Sequence, residues 1–103
     1  MTYTIITPKA VQKQLDALPD DVYDRIAVKI LQLVENPRPD GVVKLKGAGN
    51  EYGIRIGEYR VRYEIGDEEL IILLLQCKHR KDIYKSWNWQ EQANFNSVLD
   101  KSS

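Results

Sequence analysis

The sequence predicts an α+β fold: an N-terminal strand and a two-helix hairpin packed on a small, mainly antiparallel sheet of four to five strands, followed by a polar tail. Three observations carry that expectation. Apolar residues recur with helical spacing from Ala10 to Val34, then alternate strictly from Tyr52 to Ile65. The unbroken run Leu70-Ile71-Ile72-Leu73-Leu74-Leu75 supplies a further, buried strand. Proline and glycine clusters fall between the periodic segments and punctuate them.

Tyr3 to Thr7 is β-branched and aromatic and reads as a first strand stopped by Pro8. Thr7-Pro8 has the pattern of an N-cap followed by proline at the first helical position. Ala10, Val11, Gln14, Leu15 and Leu18 give the stripe of a first helix, which Pro19 ends. The acidic pair Asp20-Asp21 suits the positive end of a second helix, whose stripe is Val22, Ile26, Ile30, Leu33 and Val34. Asn36-Pro37-Arg38-Pro39-Asp40-Gly41 breaks it. Val42 to Lys46 suits an edge strand, and Gly47-Ala48-Gly49-Asn50 a loop. Two alternating strands follow, joined by a tight Gly57-Glu58 turn, and Gly66-Asp67 leads into a last strand over 69–77. Residues 1–85 thus form one domain. Residues 86–103, polar and amide-rich, form an extension expected to be a short helix or a partly ordered tail.

The two-residue turn fixes a register. Ile56 faces Tyr59, Arg55 faces Arg60, Gly53 faces Arg62 and Glu51 faces Glu64. Ile54 with Val61 and Tyr52 with Tyr63 make sensible core pairs, while the other face sets two arginines directly opposite each other. Like charges so placed are destabilising by up to about 1 kcal/mol, so stability alone does not select them. Arg55, Arg60 and Arg62 therefore read as an anion site, with Gly53 leaving room beside them. The last strand carries Lys78, His79, Arg80 and Lys81 towards the same region, with Tyr84 four residues past Arg80.

Composition narrows the chemistry. Lysine plus arginine (15) balance aspartate plus glutamate (15), which excludes nucleic-acid binding by bulk charge and leaves a local basic patch. The apolar run of six is far too short to span a membrane, and Met1 to Ile6 has no signal-peptide pattern. A single cysteine, Cys77, excludes an internal disulfide, makes the cytoplasm the default compartment and reads as a core residue. No zinc-ligand spacing, phosphate loop or serine-hydrolase pairing is present, so neither metal nor cofactor is expected. Metal-free RNA cleavage fits, in which a 2′-hydroxyl attacks its own phosphate. Arginines stabilise the phosphorane, and His79 (unperturbed pKa about 6.5) and Tyr84 (about 10) are the titratable candidates for acid and base. Tyr84 could instead stack on a base.

At these residues the chain resembles the RelE/ParE superfamily of toxins from type II toxin–antitoxin pairs, on the RelE side. The likeness runs over about residues 1–85, through Asn36-Pro37, Lys44-Leu45-Lys46-Gly47, Tyr52-Gly53-Ile54-Arg55-Ile56, Tyr59-Arg60-Val61-Arg62-Tyr63 and His79-Arg80-Lys81-Asp82-Ile83-Tyr84. It implies a ribosome-dependent endoribonuclease that cuts mRNA in the A site and inhibits translation. It also implies a cognate antitoxin as partner, with a toxin–antitoxin hetero-oligomer. By position, Arg60 matches the arginine that grips phosphate, Arg80 the one that stabilises the transition state, Tyr84 the tyrosine against the substrate and Arg55 a basic residue on the neighbouring strand. Lys44, Lys46, Arg62, Lys78 and Lys81 complete the expected RNA-binding set, and His79 joins the catalytic one. Gly53 stands where some relatives carry a lysine, and the neutral net charge departs from the usual basic one. The alternatives are a ParE-like inhibitor of DNA gyrase and a catalytically weak member that binds its antitoxin. Trp87 and Trp89 of the tail are candidates for partner contact.

Overall fold

Two prolines set the helix starts in the computed structural model, which describes residues 2–45 and 49–82. Strand β1 (Thr4–Ile6) gives way at Pro8 to α1 (Lys9–Asp16), and Pro19 precedes α2 (Asp20–Glu35). Both prolines occupy the N-cap with extended ψ, and their carbonyls accept the first helical bonds from the Gln12 and Tyr23 amides at 2.9 and 2.8 Å. Pro8 thus takes the cap position expected of Thr7; its fixed φ suits either place, and the extended ψ decides.

Beyond α2 come β2 (Val43–Lys44), β3 (Glu51–Ile56), β4 (Tyr59–Gly66) and β5 (Ile71–His79). They form one five-stranded sheet in the order β1-β5-β4-β3-β2, antiparallel except for β1, which runs parallel to β5. The helices bury Val11, Leu15, Ile26, Ile30 and Leu33 on one sheet face against Tyr52, Ile54, Val61, Tyr63, Ile65, Ile72, Leu74 and Cys77. Each such aliphatic side chain contributes about 1.5–3 kcal/mol in area terms. The other face carries Arg55, Arg60 and Arg62.

The β3–β4 register is the expected one, from Glu51 opposite Glu64 to Ile56 opposite Tyr59. Gly57, at φ +60°, supplies the positive φ that the turn requires. The last strand departs from expectation by two residues. Leu70 sits at φ +56° in the turn and Gly66 packs too closely on Ile71 to admit a Cβ, so pairing begins at Ile71 and runs on through Lys78 and His79. The edge strand β2 is also shorter than the expected 42–46, and Lys46 lies outside the described residues.

One irregularity in β5 matters more than its bounds. Arg62 pairs with Gln76 and Tyr63 with Leu74, so Leu75 is an extra residue. An unbroken strand that buries Ile72 and Leu74 would also point Gln76 and Lys78 at the core. The bulge reverses the alternation. Cys77 goes inward, 4% exposed, and Gln76 and Lys78 join the arginine face.

Arg38 clasps the far end of the sheet. Its guanidinium donates to both Asp67 oxygens (3.3 and 2.8 Å) and to the Tyr52 hydroxyl (3.0 Å), lying 5.2 Å from that ring's centroid. Tyr3 donates to the same carboxylate at 2.8 Å, and Tyr63 donates to the Pro37 carbonyl at 2.7 Å. These contacts join the α2–β2 breaker to β3, β4, the β4–β5 turn and the residue before β1.

Candidate phosphate-binding face

Three rows of side chains cross the face opposite the helices. The register aligns Arg55 of β3, Arg60 of β4 and Lys78 of β5 in the first row. Gly53, Arg62 and Gln76 make the second, and Glu51, Glu64 and Leu73 the third. The first row places three cations across two strand spacings, roughly 10 Å. Two unit charges about 5 Å apart repel by about 0.8 kcal/mol even in bulk water, and by more near protein. An anion bound along the row would relieve that repulsion.

Arg60 is the anchor of the row. It is the only charged side chain buried among the described residues, at 3% exposure, and its Nη1 donates to the Tyr59 carbonyl at 3.3 Å among other interactions. A buried guanidinium is fixed in place, which suits a group that must meet a phosphate in one geometry. On either side of Arg60, Arg55 is exposed and Lys78 half-buried. Arg62, one row away, is held by Glu51, whose Oε1 accepts from its Nε at 2.7 Å. Glu51 thus tempers the positive charge of the second row.

Arg80 follows β5 as the first residue of a helical turn over 80–82. Its amide donates to the Glu58 carbonyl at 2.7 Å and its Nε pairs with Glu58 Oε1 at 2.8 Å. His79 does not join the row. It pairs with Tyr59 on the helix-bearing side, its ring edge-on to the phenol at 5.1 Å, and its Nδ1 accepts the Lys81 amide at 3.1 Å. That contact starts the helical turn, as an N-cap side chain does. Lys81 is exposed on the turn, and Lys44, opposite Tyr52, is exposed at the sheet edge away from the row. Tyr84, like Trp87 and Trp89, lies outside the described residues.

Sequence reasoning missed two features here: the Glu58 grip on Arg80, and the bulge at Leu75 that brings Lys78 into line with Arg60. A bulge inside an all-apolar run leaves no pattern to read, so only an implausible inward lysine could have signalled it. Burial pushes the Cys77 thiol up to about 11, which makes it a core side chain and no nucleophile. Among the described residues no group of three or more His, Cys, Asp or Glu could hold a metal ion, and no helix is long and apolar enough to cross a membrane.

Residues 5–84 match the family model described as ParE toxin of type II toxin-antitoxin system, parDE. The chain is 30% identical over 89 residues to the RelE1 protein of Methanocaldococcus jannaschii, covering 84% of this chain and 99% of that one. Among solved structures, the archaeal RelE-RelB complex from Pyrococcus horikoshii OT3 is similar at TM-score 0.70 and 35% identity, over 78% of this chain and 97% of that chain. A RelB-RelE antitoxin-toxin complex from Methanococcus jannaschii is similar at TM-score 0.65 and 28% identity, over 78% and 95%.

Proposed function

The chain belongs to the ParE toxin family, within the RelE/ParE superfamily of type II toxin–antitoxin systems, and from that premise we propose that it is a ribosome-dependent, metal-independent endoribonuclease. The observation that carries this reading is the cross-strand row Arg55–Arg60–Lys78, with its central arginine buried. Its substrate is mRNA in the ribosomal A site. The 2′-hydroxyl of one nucleotide attacks the adjacent phosphorus, the bond to the 5′-oxygen of the next nucleotide breaks, and a 2′,3′-cyclic phosphate and a 5′-hydroxyl result. Arg60 and Lys78 hold the non-bridging oxygens as charge builds on the phosphorane, and Arg55 neutralises the approaching backbone. Arg80, two residues beyond Lys78, stabilises charge in the transition state, and Tyr84 is assigned to the substrate base or the transferring proton. The relatives crystallised with RelB support a cognate antitoxin as partner, and both partners would act in the cytoplasm.

In vitro translation tests this. The protein should halt synthesis and leave mRNA cut within the A-site codon, and added antitoxin should prevent both. A second reading, inhibition of DNA gyrase, is favoured by one observation: the matching family model is that of ParE. A gyrase inhibitor would leave translation and mRNA intact and block DNA supercoiling.

A further inference from the structure

We propose that Glu58 is a positioning residue for Arg80, fixing its guanidinium just past the end of β5, two residues beyond Lys78; this assignment rests on the RNA-cleavage reading. Three contacts link residues 58 and 59 to residues 79 and 80. The Glu58 carbonyl accepts the Arg80 amide at 2.7 Å, which extends the β4–β5 ladder one step beyond Tyr59 and His79. The Glu58 carboxylate pairs with Arg80 Nε at 2.8 Å, and the His79 ring stands edge-on to Tyr59. Backbone and side chain of one residue thus fix backbone and side chain of another. The turn that presents Glu58 is itself set by the positive φ of Gly57.

The carboxylate bond is ill suited to a stabilising role. Arg80 and Glu58 side chains are 56% and 63% exposed, and exposed ion pairs contribute little to stability. What the pair does is restrict a long side chain that starts a helical turn on the surface. The paired Nε leaves the two terminal nitrogens of the fork for a phosphate. Without the carboxylate Arg80 samples many rotamers, and the transition state must recover that lost order.

The test is a double-mutant cycle in single-turnover cleavage of mRNA on programmed ribosomes. Glu58→Gln should lower the cleavage rate about tenfold, with half-saturation in ribosomes changed less than about twofold, because orientation and not binding is lost. Glu58→Asp, which keeps the charge, should recover part of the rate, and Glu68→Gln should cleave as the wild type does. Glu58→Gln should cost nothing further in an Arg80→Ala background. Thermal melting should be the same for all these chains. Losses that add in the double variant would overturn the assignment, as would wild-type rates in Glu58→Gln. Faster cleavage by Glu58→Gln would overturn it too, by making Glu58 a competitor of the phosphate. If the wild type cuts no mRNA, the RNA-cleavage reading falls and the assignment with it. Slow exchange of the Arg80 Nε proton in the wild type, lost in Glu58→Gln, would then report the clamp separately from its catalytic use.

Discussion

Arg60 on β4 stands directly across from Lys78 on β5, and Arg55 flanks Arg60 on its other side. Two of these residues come from one hairpin. The third reaches the row only because Leu75 is bulged out of the ladder. The row therefore depends on an irregularity in the most apolar strand of the molecule.

Replacing Arg60 or Lys78 by alanine should lower single-turnover mRNA cleavage by about 10²-fold or more, the scale of losing one preorganised charge donor. Arg55, exposed and less fixed, should cost about tenfold. The salt dependence of RNA binding should flatten by about 0.7 in log–log slope for each residue removed. Filter binding across a salt series, with circular dichroism to confirm folding, checks this. An unchanged slope would place the phosphate elsewhere.

The Arg38–Asp67 contact predicts a signature at acid pH. Hydrogen bonds from Arg38 first, then Tyr3, hold the Asp67 carboxyl below its usual range. A depressed folded value means the contribution is present above the unfolded pKa, about 3.9, and lost as pH falls through the folded one. Wild type and Asp67→Asn should differ in denaturation midpoint by a constant amount above about pH 5, and the difference should shrink below about pH 4. A difference that stays constant down to pH 2 would contradict the role given to this carboxylate.

How much of this was legible in the sequence differs by element. The hairpin was, because Gly57-Glu58 allows only one tight register and that register pairs Tyr52 with Tyr63 in the core. The helices were, from their apolar stripes and the prolines before them. The start of β5 was not, because a leucine in the left-handed region at Leu70 breaks the rule that glycine or asparagine marks such a turn. Arg38 read only as part of a breaker, since its partners Tyr52 and Asp67 are distant in sequence. His79 read as a catalytic candidate because it was titratable beside arginine. Its place on the helix-bearing side follows from the same bulge that moved Lys78.

Tyr63→Phe should cost about 1–2 kcal/mol in urea denaturation, since it removes the hydroxyl that donates to the buried Pro37 carbonyl at 2.7 Å. The ring would remain stacked on Tyr52, 6.1 Å between centroids, so the fold itself should persist. A loss under about 0.3 kcal/mol would indicate that the carbonyl finds water instead.

Cys77 should resist alkylation in the native protein. The thiol is 4% exposed, and burial raises its pKa to about 11, so little thiolate exists at pH 8. Mass spectrometry after iodoacetamide treatment should find it modified only in denaturant. Rapid native labelling would mean that the β5 bulge opens readily.

If the Arg55–Arg60–Lys78 row binds the phosphate that is cut, losing Lys78 should slow the cut itself. The most direct measurement is end mapping of mRNA on programmed ribosomes, with wild type and Lys78→Ala side by side. Wild-type cleavage should fall within the A-site codon, leave a 2′,3′-cyclic phosphate and run about 10²-fold faster than that of the variant. Intact mRNA with the wild type, or equal cleavage by the two proteins, would contradict it.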